Sequence, residues 1–363
     1  MKKLIIFIPS IEDGGVEKNL FLISNYLSKK FKNIGIITAN FDYKKRFNKR
    51  IKFLGVDFKY LRKKNRIFKY AFCLFILLYQ IIKDNREVTI LSFQANIYAI
   101  ILAKVFRVKI ISRSNSSPSG WSQNFLKNLI FKIFLKKADC TIVNSLDFKK
   151  EMFNRFKVNA KCIYNPFDIE HIKKKIKNSK KNMFKTKKNT LKILSVGRLT
   201  GQKDFITLLK AINRIKNSIN LKLIVIGKGS EREKLSNFIK NHKLNNKIFL
   251  VGYKRNPYKY FQDTDIFVLS SKFEGLPNVL LEAQFFKKFI ISSNCPTGPR
   301  EILLNGKAGN LFNIGNYKKL SNQILNYNRK KNIEKILLGF NSLNRFKYNK
   351  SMKEYYKSII KFL

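Results

Sequence analysis

The stretch Ser271-Lys272-Phe273-Glu274-Gly275-Leu276-Pro277-Asn278-Val279-Leu280-Leu281-Glu282-Ala283 decides how this chain is read. Directly before it, Ile266-Phe267-Val268-Leu269 is a short unbroken apolar run, the pattern of a strand buried on both faces of a parallel sheet. After the loop, Val279, Leu280, Leu281, Ala283, Phe285 and Phe286 make an apolar helix, and Pro277 suits its first turn, where a missing N–H loses nothing. Glu274 therefore falls at the carboxyl end of a strand, the edge at which open α/β sheets bind ligands. Glu282 follows eight residues later, about 12 Å along a helix that rises ~1.5 Å per residue. The plain alternative is an acidic helix start followed by a solvated glutamate.

Outward from this unit, strands and helices alternate. Leu191–Val196, Leu221–Ile226, Ile248–Val251 and Phe289–Ser292 read as strands, with helices at Asp204–Asn217 and Glu231–Asn241 between them. An earlier series has strands at Leu4–Ile8, Ile34–Thr38, Ile51–Val56, Val88–Ser92, Val108–Ser112 and Thr141–Asn144. Helices Val16–Leu27, Lys69–Ile82, Ile97–Val105 and Phe125–Leu135 intervene. Alternation of this kind predicts doubly wound parallel sheets. Between Lys161 and Thr190 the texture changes: Asn165-Pro166 breaks the pattern and the stretch holds ten lysines, which marks a crossing between domains. The reading is two Rossmann-like α/β domains facing across a cleft, residues 1–168 and 169–345, with a C-terminal helix in 346–363 returning to the first.

The 363 residues suit two cores rather than one. Seventy-five Lys and Arg against 22 Asp and Glu leave a net charge of +53. Nucleic acid, an anionic membrane surface and anionic substrates all fit such a charge. So does drift in an A+T-rich coding sequence, because Lys, Asn, Ile and Phe are abundant together. Cys73, Cys140, Cys162 and Cys295 are scattered without metal-site spacing and read as reduced thiols of a cytoplasmic protein. With only His171 and His242, a histidine triad or zinc site has no material. The apolar run after Met1-Lys2-Lys3 is too short for a signal peptide, and Ala71–Ile82 is shorter than the roughly 20 residues of a membrane span. A buried or surface-lying helix fits it better.

Three further clusters carry chemistry. Gly197-Arg198-Leu199-Thr200-Gly201-Gln202-Lys203 follows a strand, so Arg198 and Lys203 share the sheet edge of Glu274. A guanidinium fork and a mobile ammonium across a glycine turn suit a diphosphate. Gly227-Lys228-Gly229 is a second strand-end turn, and Gly14-Gly15 follows the first strand of the chain as in phosphate-binding βα units. From Lys44 to Lys69 there are twelve Lys or Arg and one acid, Asp57, with Phe and Tyr interspersed. Beside the apolar Ala71–Ile82 helix, such a face suits an anionic inner membrane surface.

In this order and spacing the motifs resemble the retaining, nucleotide-sugar-dependent glycosyltransferases of family 4, which have the GT-B fold. Glu274 and Glu282 stand at that family's E-x7-E spacing. Val196-Gly197-Arg198 with Lys203 is similar to its diphosphate pair, Val225–Gly229 and Val251-Gly252-Tyr253 to its next strand ends, and Gly14-Gly15-Val16-Glu17 to its amino-terminal glycine loop. The resemblance implies that Arg198 and Lys203 bind the donor diphosphate and stabilise its departure, with Glu274 on the transferred sugar. It places Glu282 on the ribose, Gly252 and Tyr253 near the base, and the Gly275 and Leu276 N–H groups on phosphate. Gly14 and Gly15 approach from the opposite wall. The departing phosphate takes the acceptor proton, and neither a cofactor nor a metal ion is needed beyond the nucleotide sugar, expected to be UDP-linked, as co-substrate.

The chain departs from the family where a histidine commonly contacts the donor sugar: Ile111-Ser112-Arg113-Ser114 stands there, so Arg113 is the candidate donor-sugar or acceptor contact. Cys295-Pro296-Thr297-Gly298-Pro299-Arg300-Glu301 resembles a loop of surface-polysaccharide members, some of which transfer N-acetylhexosamines. The expected acceptor is a lipid-linked or lipopolysaccharide-type glycan, met by an enzyme peripheral to the inner face of the plasma membrane. A UDP-sugar epimerase on the same fold and a basic nucleic-acid-binding protein are the rival readings. No nucleic-acid module stands out against the latter.

Overall fold

A computed structural model describes every residue except 1, 13, 122–123, 177–182, 185, 187 and 188. Asp13 of the amino-terminal glycine loop and much of the expected lysine-rich crossing thus lie outside the described residues. The chain divides into two compact units, Met1–Pro166 with Tyr348–Leu363, and Phe167–Lys347. The divisions fall at 166/167 and 347/348, where the sequence reading put 168/169 and 345/346.

The first unit runs β1 (Lys3–Phe7), α1 (Gly15–Leu27), β2 (Ile34–Ile37), β3 (Lys52–Leu54), α2 (Lys59–Lys63), α3 (Arg66–Lys83), β4 (Val88–Ser92) and α4 (Asn96–Val105). It continues through β5 (Lys109–Arg113), α5 (Phe125–Leu135), β6 (Cys140–Val143), α6 (Leu146–Phe156) and β7 (Lys161–Cys162). All seven strands pair in parallel in the order β3-β2-β1-β4-β5-β6-β7. Strand order reverses between the adjacent β1 and β4, the switch point at which such sheets leave a crevice. The central strands are buried along their length, which is why they read as unbroken apolar runs. Side-chain caps set several helix starts: Asn65, Asn124 and Ser145 each accept from the backbone N–H three residues on, closing donors that the helix leaves open.

The second unit runs α7 (Ile169–Ile176), β8 (Leu191–Val196), α8 (Phe205–Ile215), β9 (Leu221–Ile226), α9 (Arg232–Asn241), β10 (Ile248–Leu250), α10 (Tyr258–Gln262) and β11 (Ile266–Leu269). Then follow α11 (Asn278–Phe285), β12 (Phe289–Ser293), α12 (Pro299–Ile302), β13 (Asn310–Phe312), α13 (Tyr317–Leu325) and α14 (Ile333–Ser342). Its six strands are parallel in the order β10-β9-β8-β11-β12-β13, so the switch point lies between β8 and β11. The core on one side of this sheet joins Phe205, Leu208, Leu209 and Ile212 of α8 to the inward residues of β8, β9 and β11.

Finally α15 (Tyr348–Ile360) belongs to the first unit. Met352, Tyr355 and Ile359 pack with Leu20, Ile23 and Leu27 of α1 in one core on one face of the sheet. The opposite face is covered by α3, α4, α5 and α6, whose Cys73, Leu77, Ile100, Leu135 and Phe148 share a second core. The return of the C-terminal helix is as the sequence reading expected it. Two short strands, β7 and β13, were not foreseen.

Candidate active site

The loops after β8 and β11 leave the second sheet at its switch point and are laced together. The Lys272 N–H donates to the Gln202 carbonyl (2.8 Å), the Gln202 side-chain amide to the Phe273 carbonyl (2.9 Å), and the Ser270 hydroxyl to the Lys203 carbonyl (2.9 Å). This lacing carries Lys203 to Glu274, with Nζ 2.5 Å from Oε1. The Ser271 hydroxyl donates to the same oxygen at 2.6 Å. The pair is nearly enclosed, 14% and 8% exposed at the side chains, so the surroundings screen its attraction far less than they would screen a surface pair. The result is an ammonium fixed at the carboxyl edge of the sheet, with further N–H donors beyond the one Glu274 accepts.

Arg198 lies on the loop that carries Lys203 and is exposed. Glu282 is 6% exposed on α11, so the two glutamates both lie on the β11–α11 segment and both are buried. Gly275 and Leu276 lead into α11, at whose start the backbone N–H groups point back along the helix axis. Gly252 adopts φ +73°, in the left-handed region, and its carbonyl accepts from the Gly227 N–H at 3.0 Å. Next to it the Tyr253 ring is 47% exposed with the Lys228 ammonium 5.4 Å from its centre. Gly252 and Tyr253 thus stand after β10, reached from the β8 loop through Gly227.

The glycines of Gly227-Lys228-Gly229 have a geometric reason. A Cβ on Gly227 would lie 1.8 Å from the Gly197 carbonyl oxygen, and one on Gly229 2.3 Å from the Leu199 carbonyl oxygen. Leu199 in turn donates its N–H to the Lys228 carbonyl and accepts from the Glu231 N–H, both at 2.9 Å. These glycines let the β9 loop lie against the loop that holds Arg198 and Lys203.

Residues absent from the sequence-based site support it from below. The Glu274 N–H donates to the Pro296 carbonyl (2.7 Å), the Thr297 hydroxyl to the Gly275 carbonyl (3.1 Å), and the Ser293 hydroxyl to the Ser271 carbonyl (2.6 Å). Gly298 has φ +90°, and a Cβ there would lie 2.2 Å from the Gly275 carbonyl oxygen. The Cys295–Glu301 loop, read as a pointer to the sugar, is in this fold the buttress of the Glu274 loop. Burial pushes the Cys295 thiol up to about 12, which leaves it inert as a nucleophile. Ser271 had a signal: Ser-x-x-Glu usually marks a helix cap, yet here hydroxyl meets carboxylate inside a loop.

In the first unit, Gly14 caps α1 in extended conformation, and a Cβ on it would lie 2.7 Å from Oε2 of Glu17. Glu17 is buried and accepts from the Glu12 N–H at 3.4 Å, so the Gly14–Gly15 loop folds around a carboxylate. Arg113 is fully buried. Its Nε donates to the Tyr355 hydroxyl (2.7 Å), an Nη to Asn165 Oδ1 (2.9 Å), and the guanidinium lies 5.2 Å from the centre of the Phe93 ring. It ties β5 to α15 and to the end of the first unit's main segment.

With this geometry in place, sequence comparison gives the class. Residues 173–350 match the family of glycosyl transferases group 1. Over that segment the chain is similar to glycosyltransferases. The matched segment holds the Lys203–Glu274 pair and everything that supports it. A glycosyltransferase of Methanocaldococcus jannaschii with no assigned reaction is 31% identical over 220 residues, 56% of this chain and 53% of its own length. The Campylobacter jejuni N-acetylgalactosamine-N,N'-diacetylbacillosaminyl-diphospho-undecaprenol 4-alpha-N-acetylgalactosaminyltransferase is 28% identical over 333 residues, 87% of each chain. Among solved structures, Anabaena HepE in complex with UDP-glucose superimposes with a TM-score of 0.77 at 17% identity, covering 99% of this chain and 100% of that one. That likeness places the chain in the GT-B fold, with parallel sheets of seven and six strands.

Proposed function

We propose that this chain is a retaining family 4 glycosyltransferase that moves a hexose or N-acetylhexosamine from a UDP-sugar. Its acceptor is a lipid-linked or lipopolysaccharide-type glycan in cell-surface polysaccharide synthesis. The observation that carries the reading is the enclosed Lys203–Glu274 pair at the β8/β11 switch point. The Campylobacter relative, by its name, acts on a diphospho-undecaprenol glycan and spans 87% of this chain. That supports the acceptor class.

In this reading Arg198 and Lys203 bind the donor diphosphate. As the bond from sugar to phosphate breaks, negative charge grows on the leaving oxygen, and a cation already fixed in place stabilises it without reorganisation. Glu274 has two tasks: it holds the Lys203 ammonium in position, and its second carboxylate oxygen accepts from hydroxyls of the transferred sugar. The backbone N–H groups at Gly275 and Leu276 add donors at a helix start, where the dipole favours an anion. Glu282 accepts from the ribose hydroxyls and the exposed Tyr253 ring offers a face to the base. The leaving phosphate receives the acceptor proton, so no histidine base is required and no protein-held metal ion takes part.

Thermal-shift titration with UDP, GDP and a panel of nucleotide sugars tests the donor. UDP and one UDP-sugar should stabilise the protein, and Lys203→Ala should abolish the shift. Product anomeric configuration, read by NMR, tests retention. An epimerised sugar formed from UDP-sugar alone would replace transfer by the epimerase reading.

A further inference from the structure

The helix layer α3-α4-α5 covers one face of the first sheet, each helix packed against the next. Its inner stripe is ordinary core. Its outer face is not an ordinary surface. On α3, Ile67, Phe75 and Tyr79 follow at near-helical spacing and are 76%, 69% and 55% exposed, opposite the buried Cys73, Leu77 and Ile81. On α4, Tyr98 and Val105 stand out at 57% and 70%. On α5 only Leu135 is buried, and Phe125, Leu126 and Ile130 face outward at 78%, 66% and 44%.

Codon drift toward Ile, Phe and Lys does not account for this, because the second unit was written by the same codons. Among the described residues, six large apolar side chains stay exposed in Phe167–Lys347, none above 47%. Between Val56 and Ile133 alone there are sixteen. A contiguous exposed apolar face of this kind marks an interaction surface, and a helix like α5, which leaves Phe125, Leu126, Leu129, Ile130 and Ile133 exposed, is out of place in water.

Charge names the partner. No Asp or Glu occurs in α3, α4 or α5, nor anywhere between Glu87 and Asp139. Of the acids at the rim, Asp84 pairs with Lys3, and Asp139 with Lys104 and Lys109. Lys127, Lys132, Lys136 and Lys137 of the α5 region are exposed. A second copy of this chain would set cations against cations on this face. Among the described residues no helix is long and apolar enough to cross a membrane, whereas helices with aromatic and aliphatic faces flanked by lysines lie in the headgroup plane of anionic bilayers. We infer that the outer face of α3, α4 and α5 docks on an anionic lipid bilayer surface. It takes in the Ala71–Ile82 helix that the sequence reading set beside the basic Lys44–Lys69 segment, and extends that face across α4 and α5.

The test is sedimentation of the full chain with vesicles of phosphatidylcholine alone or mixed with phosphatidylglycerol, at about 0.15 M salt, where the screening length is ~8 Å. No donor or acceptor is present, so the outcome is independent of the transfer reading. The wild type should partition onto the mixed vesicles at least about tenfold more strongly than onto the neutral ones. Lys127→Gln/Lys132→Gln/Lys136→Gln should lower that partition about a hundredfold, at roughly fivefold per lysine. Ile67→Ser/Phe75→Ser/Phe125→Ser should lower it by a similar factor or more. If the serine variant fails to fold, seen as loss of the native Trp121 emission, the lysine variant alone decides. Equal binding to both vesicle types, no binding, or a lysine variant that binds like wild type would overturn the inference. So would a stable dimer in sedimentation equilibrium that the serine variant dissociates.

Discussion

Removing the charge of Lys203 should produce two separable losses, and their ratio tests how the site is built. In the folded protein its ammonium faces Glu274 at 2.5 Å, with 14% and 8% of the two side chains exposed. Taking one charge from so enclosed a pair leaves the other desolvated and uncompensated, which costs about 3–5 kcal/mol in buried pairs. The Ser271 hydroxyl still donates to Glu274, so about 3 kcal/mol is expected for Lys203→Met. Glu274→Gln keeps an acceptor for Ser271 but strands the ammonium, at a similar cost. The double variant strands neither, so the two losses should not add, with a coupling of about 2–3 kcal/mol. Turnover behaves differently: Lys203→Met should lower kcat by about 100- to 1000-fold, the scale of one lost donor to developing charge, and the double variant should recover none of it. Calorimetry is the assay, because Trp121, the sole tryptophan, stacks on Phe156 in the first unit and its fluorescence is blind to the second. Additive stability losses would refute the pairing. Recovery of turnover in the double variant would refute the role of the ammonium.

Gly227→Ala should destabilise the second unit by about 3 kcal/mol or more, because its Cβ would meet the Gly197 carbonyl oxygen at 1.8 Å. Gly252→Ala has nothing within 4 Å and only φ +73° to overcome, so calorimetry should show about 1 kcal/mol. Cys73 and Cys295, both pushed up to about 12 by burial, should resist a disulfide reagent at pH 8 in the native protein and react fully once it is unfolded. Lys288 is pulled down to about 8 by burial first and then by Arg329, against the pull of Asp265 and Asp263. Its folded value thus lies below the unfolded one of about 10.4, and the penalty is complete below pH 8 and gone above roughly pH 10.5. Lys288→Met forfeits one hydrogen bond to the Gln262 carbonyl and should still stabilise by about 2 kcal/mol at pH 7, with no gain at pH 10.5 in denaturant titrations.

Much of the fold was legible because parallel strands must be apolar on both faces. Val88–Ser92, Leu191–Val196, Leu221–Ile226 and Ile266–Leu269 coincide with β4, β8, β9 and β11, and Phe125–Leu135 coincides with α5, whose start Asn124 caps. β7, with two residues, and β13, with Asn310 at its head, are too short and too polar at the edge to give such a run. At the site, the strand-end positions of Lys203 and Glu274 could be read from local pattern. That they share one rim could be expected from it too, but not their direct ion pair, nor the Thr297 and Gly298 buttress, since both depend on loops that are distant in sequence. Arg113 shows the limit well. Its residue type and strand-end position point outward to a ligand, while its hydroxyl partner stands 242 residues away and turns it inward.

That distance has a consequence for biosynthesis. A ribosome delivers every strand of the first sheet, then the whole of Phe167–Lys347, before Tyr355 emerges to meet the waiting guanidinium. Until then Leu20, Ile23 and Leu27 lack the cover that Met352 and Ile359 supply. The nascent first unit is therefore an unfinished body with an open greasy flank until the last helix emerges, whereas its younger neighbour, continuous in sequence, needs no later segment to close.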